Sequence, residues 1–113
     1  MTKIYHNPRC SKSRSTLKIL EEHGVTPEIV EYLKTNPDIG EIKSLVKMLG
    51  IAPVELIRKG EKVFKEHYKG KDLSDEEWIS AMAEHPVLIE RPIVVKDGKA
   101  IIGRPPEKVI ELL

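Results

Sequence analysis

Cys10 is the residue whose surroundings say most about chemistry. It is the single cysteine of the chain and lies in a polar, cationic stretch, residues 7–14. A pattern typical of a β-strand over residues 3–6 precedes this stretch, and a helical pattern over residues 11–23 overlaps its end. A thiol at such a junction meets the unpaired amides and the positive dipole of the helix, which both favour the thiolate. The sequence therefore predicts a reactive cysteine, against the alternative of a buried, inert one.

Two familiar cysteine motifs are incomplete in this chain. A phosphatase loop of the C-x5-R type needs arginine at position 16, where the chain has Thr16, and Arg14 comes too early. A C-x-x-C dithiol centre needs a second cysteine at position 13, where the chain has Ser13. Any second thiol must therefore come from another molecule.

Three arginines lie at the ends of predicted elements. Arg58 follows a short helix, while Arg91 and Arg104 each precede a proline. Guanidinium groups offer fixed pairs of donors that match tetrahedral oxyanions. If the three side chains converge they form an anion pocket; otherwise each is a solvated surface residue. The bond between Arg91 and Pro92 is a candidate cis peptide, which would hold a fixed turn there.

His6 is the histidine nearest to Cys10. It ends the first predicted strand, close enough to hydrogen-bond the thiolate or to hold the loop, although a purely structural role is the alternative. The other three histidines are widely spaced and have no second cysteine to join, so we expect no metal site.

The order of the elements predicts the fold class. Strands at residues 3–6 and 28–33, joined by the helix that ends at Gly24, form a β-α-β unit with parallel strands. A helical middle follows, with helices at about 42–49, 53–60 and 74–84, and we expect residues 59–72 to be irregular. Strands at 93–95 and 100–102 flank Asp97-Gly98, a strong hairpin signal, before a final helix. This order predicts an α/β protein with a mixed four-stranded sheet.

Length and charge limit the classes of function. With 113 residues, 40% hydrophobic and 33% charged, we expect a single domain over residues 1–113 with a helical insertion at about 36–86. The net charge of +1 is too small to indicate binding to nucleic acid or to a membrane by overall electrostatic attraction. The lone cysteine and the lack of an apolar leader predict a reducing, cytoplasmic compartment.

Four separated blocks of the chain resemble one family. Residues 4–14, 56–59, 85–95 and 103–105 resemble the glutaredoxin-coupled arsenate reductases of thioredoxin-like fold, and the chain resembles a short member of that family. The resemblance implies a thioredoxin-like sheet, no bound cofactor, and arsenate, glutathione and glutaredoxin as the partners of what we expect to be a monomer.

The resemblance also implies roles for individual residues. Cys10 would be the nucleophile, and His6 would help to keep the pKa of its thiol low. Three arginines would hold the oxyanion: Arg58, Arg91 and Arg104. Three further residues would support the site: Asn7, Arg14 and Pro92. In this mechanism the thiolate attacks arsenate, glutathione attacks the arsenic, arsenite leaves, and glutaredoxin removes glutathione from Cys10.

Two other functions remain open at this stage. A monothiol glutaredoxin-like protein would exchange glutathione with protein thiols without touching arsenic, and its activity would not need the arginines. A regulatory protein of thioredoxin-like fold that binds RNA polymerase is the other alternative, although the family members of that kind use a C-x-x-C pair, which Ser13 interrupts here.

Overall fold

A mixed β-sheet organises the first of two compact units in the computed structural model, which describes residues 1–113. This unit comprises Met1–Thr35 and Arg91–Leu113. Its elements are β1 (Thr2–Tyr5), α1 (Ser11–Glu22), β2 (Glu28–Val30), the single turn α2 (Tyr32–Thr35), β3 (Ile93–Lys96), β4 (Lys99–Ile102) and a 3-10 helix (Pro106–Leu112).

The four strands lie in the order β2-β1-β3-β4. Strand β1 is parallel to β2 and antiparallel to β3, and β3 is antiparallel to β4. In this register Ile4 lies opposite Ile29 on one side and Val94 on the other. The predicted fold class, α/β with a mixed four-stranded sheet, is confirmed.

The core of this unit fixes α1 against the sheet. Ile4, Leu20, Val94 and Val109 are fully buried in one cluster, and Leu112 packs against it. The final element is a 3-10 helix instead of the predicted α-helix. Because residues three apart share a face in a 3-10 helix, Val109 and Leu112 point to the core, whereas Ile110 is exposed. Burial of Leu20 anchors the helix whose first turn follows Cys10.

The hairpin of the first unit has the predicted turn. Asp97 and Gly98 have φ values of 51° and 80°. A two-residue turn with two positive φ angles matches the right-handed twist of the strands it joins. The sequence signal at this position is therefore confirmed.

The second unit, Asn36–Glu90, is helical. It contains α3 (Ile39–Leu49), α4 (Lys62–His67), α5 (Asp75–Glu84) and two short 3-10 helices, Pro53–Leu56 and Pro86–Leu88. Ser74 and Glu77 form the predicted capping box of α5. The predicted insertion at about 36–86 falls within this unit. All the helices are too short or too polar to cross a lipid bilayer.

The helix predicted at about 53–60 is a 3-10 helix that ends at Leu56, and two other predicted boundaries are also wrong. Residues 59–72 are not irregular throughout, because α4 forms where Phe64 is buried and stacks on Trp78 with ring centroids 6.1 Å apart. The second strand ends at Val30, and the chain then turns into α2. In both places a tertiary contact or a local turn overrides the composition of the segment.

Candidate active site

The cysteine loop, residues 7–10, connects β1 to α1 by a tight turn. The amide of Cys10 donates to the carbonyl of Asn7 over 3.0 Å, and the amide of Arg9 donates to Asn7 Oδ1, also over 3.0 Å. Cys10 has an extended backbone and is the N-cap residue of α1. Its side chain therefore lies where the first amides of the helix have no helical partners.

Ser13 links the loop to the end of β1. Its hydroxyl oxygen accepts the Asn7 amide over 3.0 Å and forms a 2.7 Å hydrogen bond with His6 Nδ1. Ser13 is fully buried, and His6 and Asn7 are nearly so. Arg14 also stabilises the loop, because its exposed Nη1 donates to the carbonyl of Pro8 over 3.0 Å. The cysteine loop is thus held by the buried Ser13 hydroxyl and by the exposed Arg14 side chain.

The surroundings of His6 favour the neutral form of its imidazole. Burial lowers the pKa of its imidazole, Glu31 raises it in part, and Arg14 lowers it further, with a net decrease. The hydrogen that Ser13 Oγ carries can then be donated to Nδ1 of the neutral ring. His6 therefore acts on the cysteine loop through Ser13.

The thiol of Cys10 has a lowered pKa. Burial raises the pKa, but hydrogen bonds from the Ser13 amide and the Arg91 side chain, the positive charge of Arg91 and the Lys12 amide lower it more. Cys10 is a free thiol and is partly exposed. Amides and a cation around a partly exposed sulfur form the environment of a reactive cysteine.

Arg91 and Arg104 lie together beside this sulfur. Arg104 Nη2 is 3.9 Å from Cys10 Sγ, and Arg104 Nε donates to the carbonyl of Arg91 over 2.8 Å. The Arg91-Pro92 bond is cis, and so is the bond between Arg104 and Pro105. Two of the three arginines that were predicted to form an anion pocket thus lie beside the Cys10 thiol.

Arg58 belongs to the helical unit and has acidic partners there. Its Nη1 donates to Glu90 Oε1 over 2.8 Å, and its Nε lies 3.5 Å from Glu61 Oε2. The guanidinium is about one-fifth exposed, so these ion pairs are partly shielded from water. A role of Arg58 in binding the oxyanion stays a prediction.

Two further residues, Ser13 and Gly103, support the site in ways that their local sequence does not indicate. In the sequence, Ser13 stands out only because it interrupts a dithiol motif. Gly103 leaves no room for a side chain, because a Cβ there would lie 2.6 Å from Thr16 Oγ1 and 2.9 Å from Pro92 Cγ. A glycine immediately before Arg104 was the available signal, but only the fold reveals what it faces.

Comparisons with known proteins identify the class of the chain. Its residues 5–112 match the ArsC family, and the chain belongs to that family. It is 53% identical over 113 residues to the uncharacterised protein YfgD of Escherichia coli (strain K12), covering 98% of this chain and 95% of the relative. It is 47% identical over 112 residues to an arsenate reductase of Haemophilus influenzae, covering 97% of each.

Solved structures agree with this assignment. An arsenate reductase from Vibrio cholerae superposes with a TM-score of 0.95 at 51% identity, over 99% of this chain and 97% of that one. The family resemblance and the thioredoxin-like fold inferred from the sequence are therefore confirmed. The roles of the individual site residues, and the thiol donor, stay predictions.

Proposed function

We propose that this protein reduces arsenate to arsenite through the thiolate of Cys10. The observation that carries the proposal is the position of the sulfur at the start of α1, beside the amides of Lys12 and Ser13 and the guanidinium groups of Arg91 and Arg104. A nucleophile beside fixed cations suits a tetrahedral oxyanion. Relatives with the name arsenate reductase, such as the one from Haemophilus influenzae, support arsenate as the substrate.

In the first step the Cys10 thiolate attacks arsenic(V) and forms a sulfur–arsenic bond. One hydroxyl leaves with a proton as water, and the oxidation state of arsenic does not change. Arg91 and Arg104 would offset the negative charge that accumulates on the arsenate oxygens as the thiolate approaches. Without those cations two anions would repel each other, so the arginines matter for binding as well as for the chemical step.

In the second step an external thiol attacks the arsenic and displaces another oxygen as water. The two sulfurs then join in a disulfide, and the two electrons they give up reduce arsenic(V) to arsenic(III), which leaves as arsenite. We propose glutathione as that thiol and glutaredoxin as the protein that restores Cys10. An external donor is required because the chain has one cysteine.

The same chemistry sets the conditions under which the protein works. We propose a compartment that keeps thiols reduced, the cytoplasm, because a disulfide on Cys10 would block the nucleophile. We propose that a monomer suffices, because Cys10, Arg91 and Arg104 all come from one chain.

The test is arsenite formation by purified protein supplied with arsenate, glutathione and glutaredoxin. The proposal expects turnover that is lost in Cys10→Ser and that falls when either thiol component is omitted. A Ser15→Ala variant, changed at an exposed position of α1, is the matched control. Arsenite at the level of Cys10→Ser would contradict the proposal, and glutathione exchange in its place would favour a monothiol glutaredoxin-like function.

A further inference from the structure

A cavity lies beside the cysteine loop. It has a volume of about 260 Å³ and is lined by His6, by loop residues 7–9, and by Glu31, Leu33 and Lys34. Residues 6–9 follow β1 and residues 31–34 follow β2, and these two strands are parallel. The carboxyl ends of neighbouring parallel strands are where α/β sheets usually bind ligands. All of these residues belong to the first unit.

The walls of the cavity combine charges of both signs with apolar surface. Arg9 and Lys34 are exposed cations, Glu31 is a half-buried carboxylate, and Pro8 and Leu33 are exposed apolar residues. Such a lining matches a small ligand that carries carboxylates, an ammonium group and an aliphatic body. A simple inorganic anion would leave Glu31 and the apolar surface without a matching group.

The existing ion pair in the cavity does not prevent entry. Lys34 Nζ lies 3.4 Å from Glu31 Oε1, and the two side chains are 77% and 40% exposed. A pair this exposed is weak, because water and salt screen it. A zwitterionic ligand replaces it with two pairs of the same kind, its carboxylate on Lys34 and its ammonium on Glu31.

The position relative to Cys10 suggests what the ligand does. Arg9 lines the cavity and is bonded to Cys10, so their Cα atoms lie about 3.8 Å apart. A tripeptide spans roughly 10 Å when extended. A peptide held at Arg9 thus lies within its own length of the residue that carries the nucleophile, and Arg91 and Arg104, which do not line the cavity, are left for the oxyanion.

We propose that this cavity binds the reducing co-substrate, a small thiol peptide of the glutathione class with free carboxylates. The assignment rests on the proposed function, because it names the site from which the second thiol of that reaction arrives. Arg9 and Lys34 hold the carboxylates, and Glu31 faces the ammonium group.

Binding of S-methylglutathione tests this proposal without any reaction, because the probe has no free thiol. Titration of the isotope-labelled protein should shift the backbone amide resonances of residues 6–9 and 31–34. Reversing the charge in Lys34→Glu should raise the dissociation constant roughly fivefold relative to wild type. The double variant that also carries Arg9→Ala should raise it roughly tenfold relative to wild type. Lys18→Glu makes the same charge change at an exposed position of α1 outside the cavity, and should leave the dissociation constant unchanged.

Three results would overturn the assignment. One is a set of shifts confined to residues 91–104, and another is an equal effect of Lys34→Glu and Lys18→Glu. The third is the same pattern of shifts with inorganic phosphate, which would make the cavity a simple anion site. The titration needs neither arsenate nor turnover, so absence of arsenite formation would count against the proposed function alone.

Discussion

Arg104 Nη2 lies 3.9 Å from the sulfur of Cys10, although the two residues are 94 positions apart in the chain. The same side chain donates through Nε to the carbonyl of Arg91, whose own guanidinium hydrogen-bonds the thiol. The three residues thus form one connected group. Arg104 donates to the backbone that carries Arg91, and the hydrogen bond and positive charge of Arg91 lower the pKa of the thiol.

Replacing Arg91 should raise the pKa of Cys10. Arg91→Met removes a hydrogen bond and a positive charge that both favour the thiolate, and leaves the contributions of the Ser13 and Lys12 amides in place. The rate of alkylation by iodoacetamide, measured against pH, should have its midpoint at a higher pH in the variant. Lys18→Met, which removes an exposed charge from α1, is the control. Equal midpoints in Arg91→Met and wild type would show that Arg91 does not stabilise the anion.

Removing the hydroxyl of Ser13 should destabilise the first unit. Ser13→Ala leaves the Asn7 amide and His6 Nδ1 buried without the partner they share, which costs about 1–3 kcal/mol. Urea unfolding measures the loss. Ser15→Ala, at an exposed position of the same helix, should change the free energy of unfolding by less than about 0.5 kcal/mol. If the two variants are equally stable, the Ser13 bridge contributes nothing.

Adding a methyl group at Gly103 should also be destabilising. In Gly103→Ala the Cβ meets Thr16 Oγ1 and Pro92 Cγ, and relief of such overpacking costs about 1–3 kcal/mol. A second change, Thr16→Ala, removes one of the two obstructing groups, so the double variant should lose less stability than the sum of the single variants. Gly60→Ala has open space around its Cβ and serves as the control. Strict additivity would contradict the predicted clash.

The free energy of unfolding should fall as the pH drops below the ordinary pKa of His6. Burial lowers the pKa of His6 in the folded protein from its usual 6.5, so the unfolded chain binds the proton more readily. The stabilisation is fully present above pH 6.5 and is lost as the pH falls towards the lowered value. His6→Asn, which cannot titrate, should show a flatter dependence over this range. His67→Asn, which removes a histidine at an exposed position, is the control.

Arg58 can be tested by kinetics. If it binds the oxyanion, Arg58→Ala should raise the KM for arsenate by roughly tenfold, because a charge-assisted hydrogen bond to the substrate is lost. Lys59→Ala, at the neighbouring exposed position, is the control. An unchanged KM would restrict the role of Arg58 to its ion pairs with Glu90 and Glu61.

The parts of the molecule that local sequence determines were predictable. Asp97-Gly98 specifies its hairpin because two adjacent positive φ angles are needed there. The position of Cys10 between a strand and a helix followed from a change in the period of apolar residues. The order of the elements was then enough to predict the sheet.

The remaining features depend on contacts between distant residues. Gly103 faces Thr16, and Phe64 stacks on Trp78; neither pairing has a local signal. Ser13 lies within the stretch around Cys10, yet its hydroxyl serves His6 and Asn7, which the loop brings back over the start of α1. Composition alone therefore predicted an irregular segment where α4 forms, and missed the residue that links His6 to the cysteine loop.

The central claim is that the Cys10 thiolate and an oxyanion occupy the same site. Protection of Cys10 by arsenate against alkylation tests this claim most directly. The rate of alkylation of Cys10 should fall with rising arsenate and level off at saturation. In Arg104→Met, protection should require a substantially higher arsenate concentration. An alkylation rate that is independent of arsenate in the wild-type protein would contradict the account.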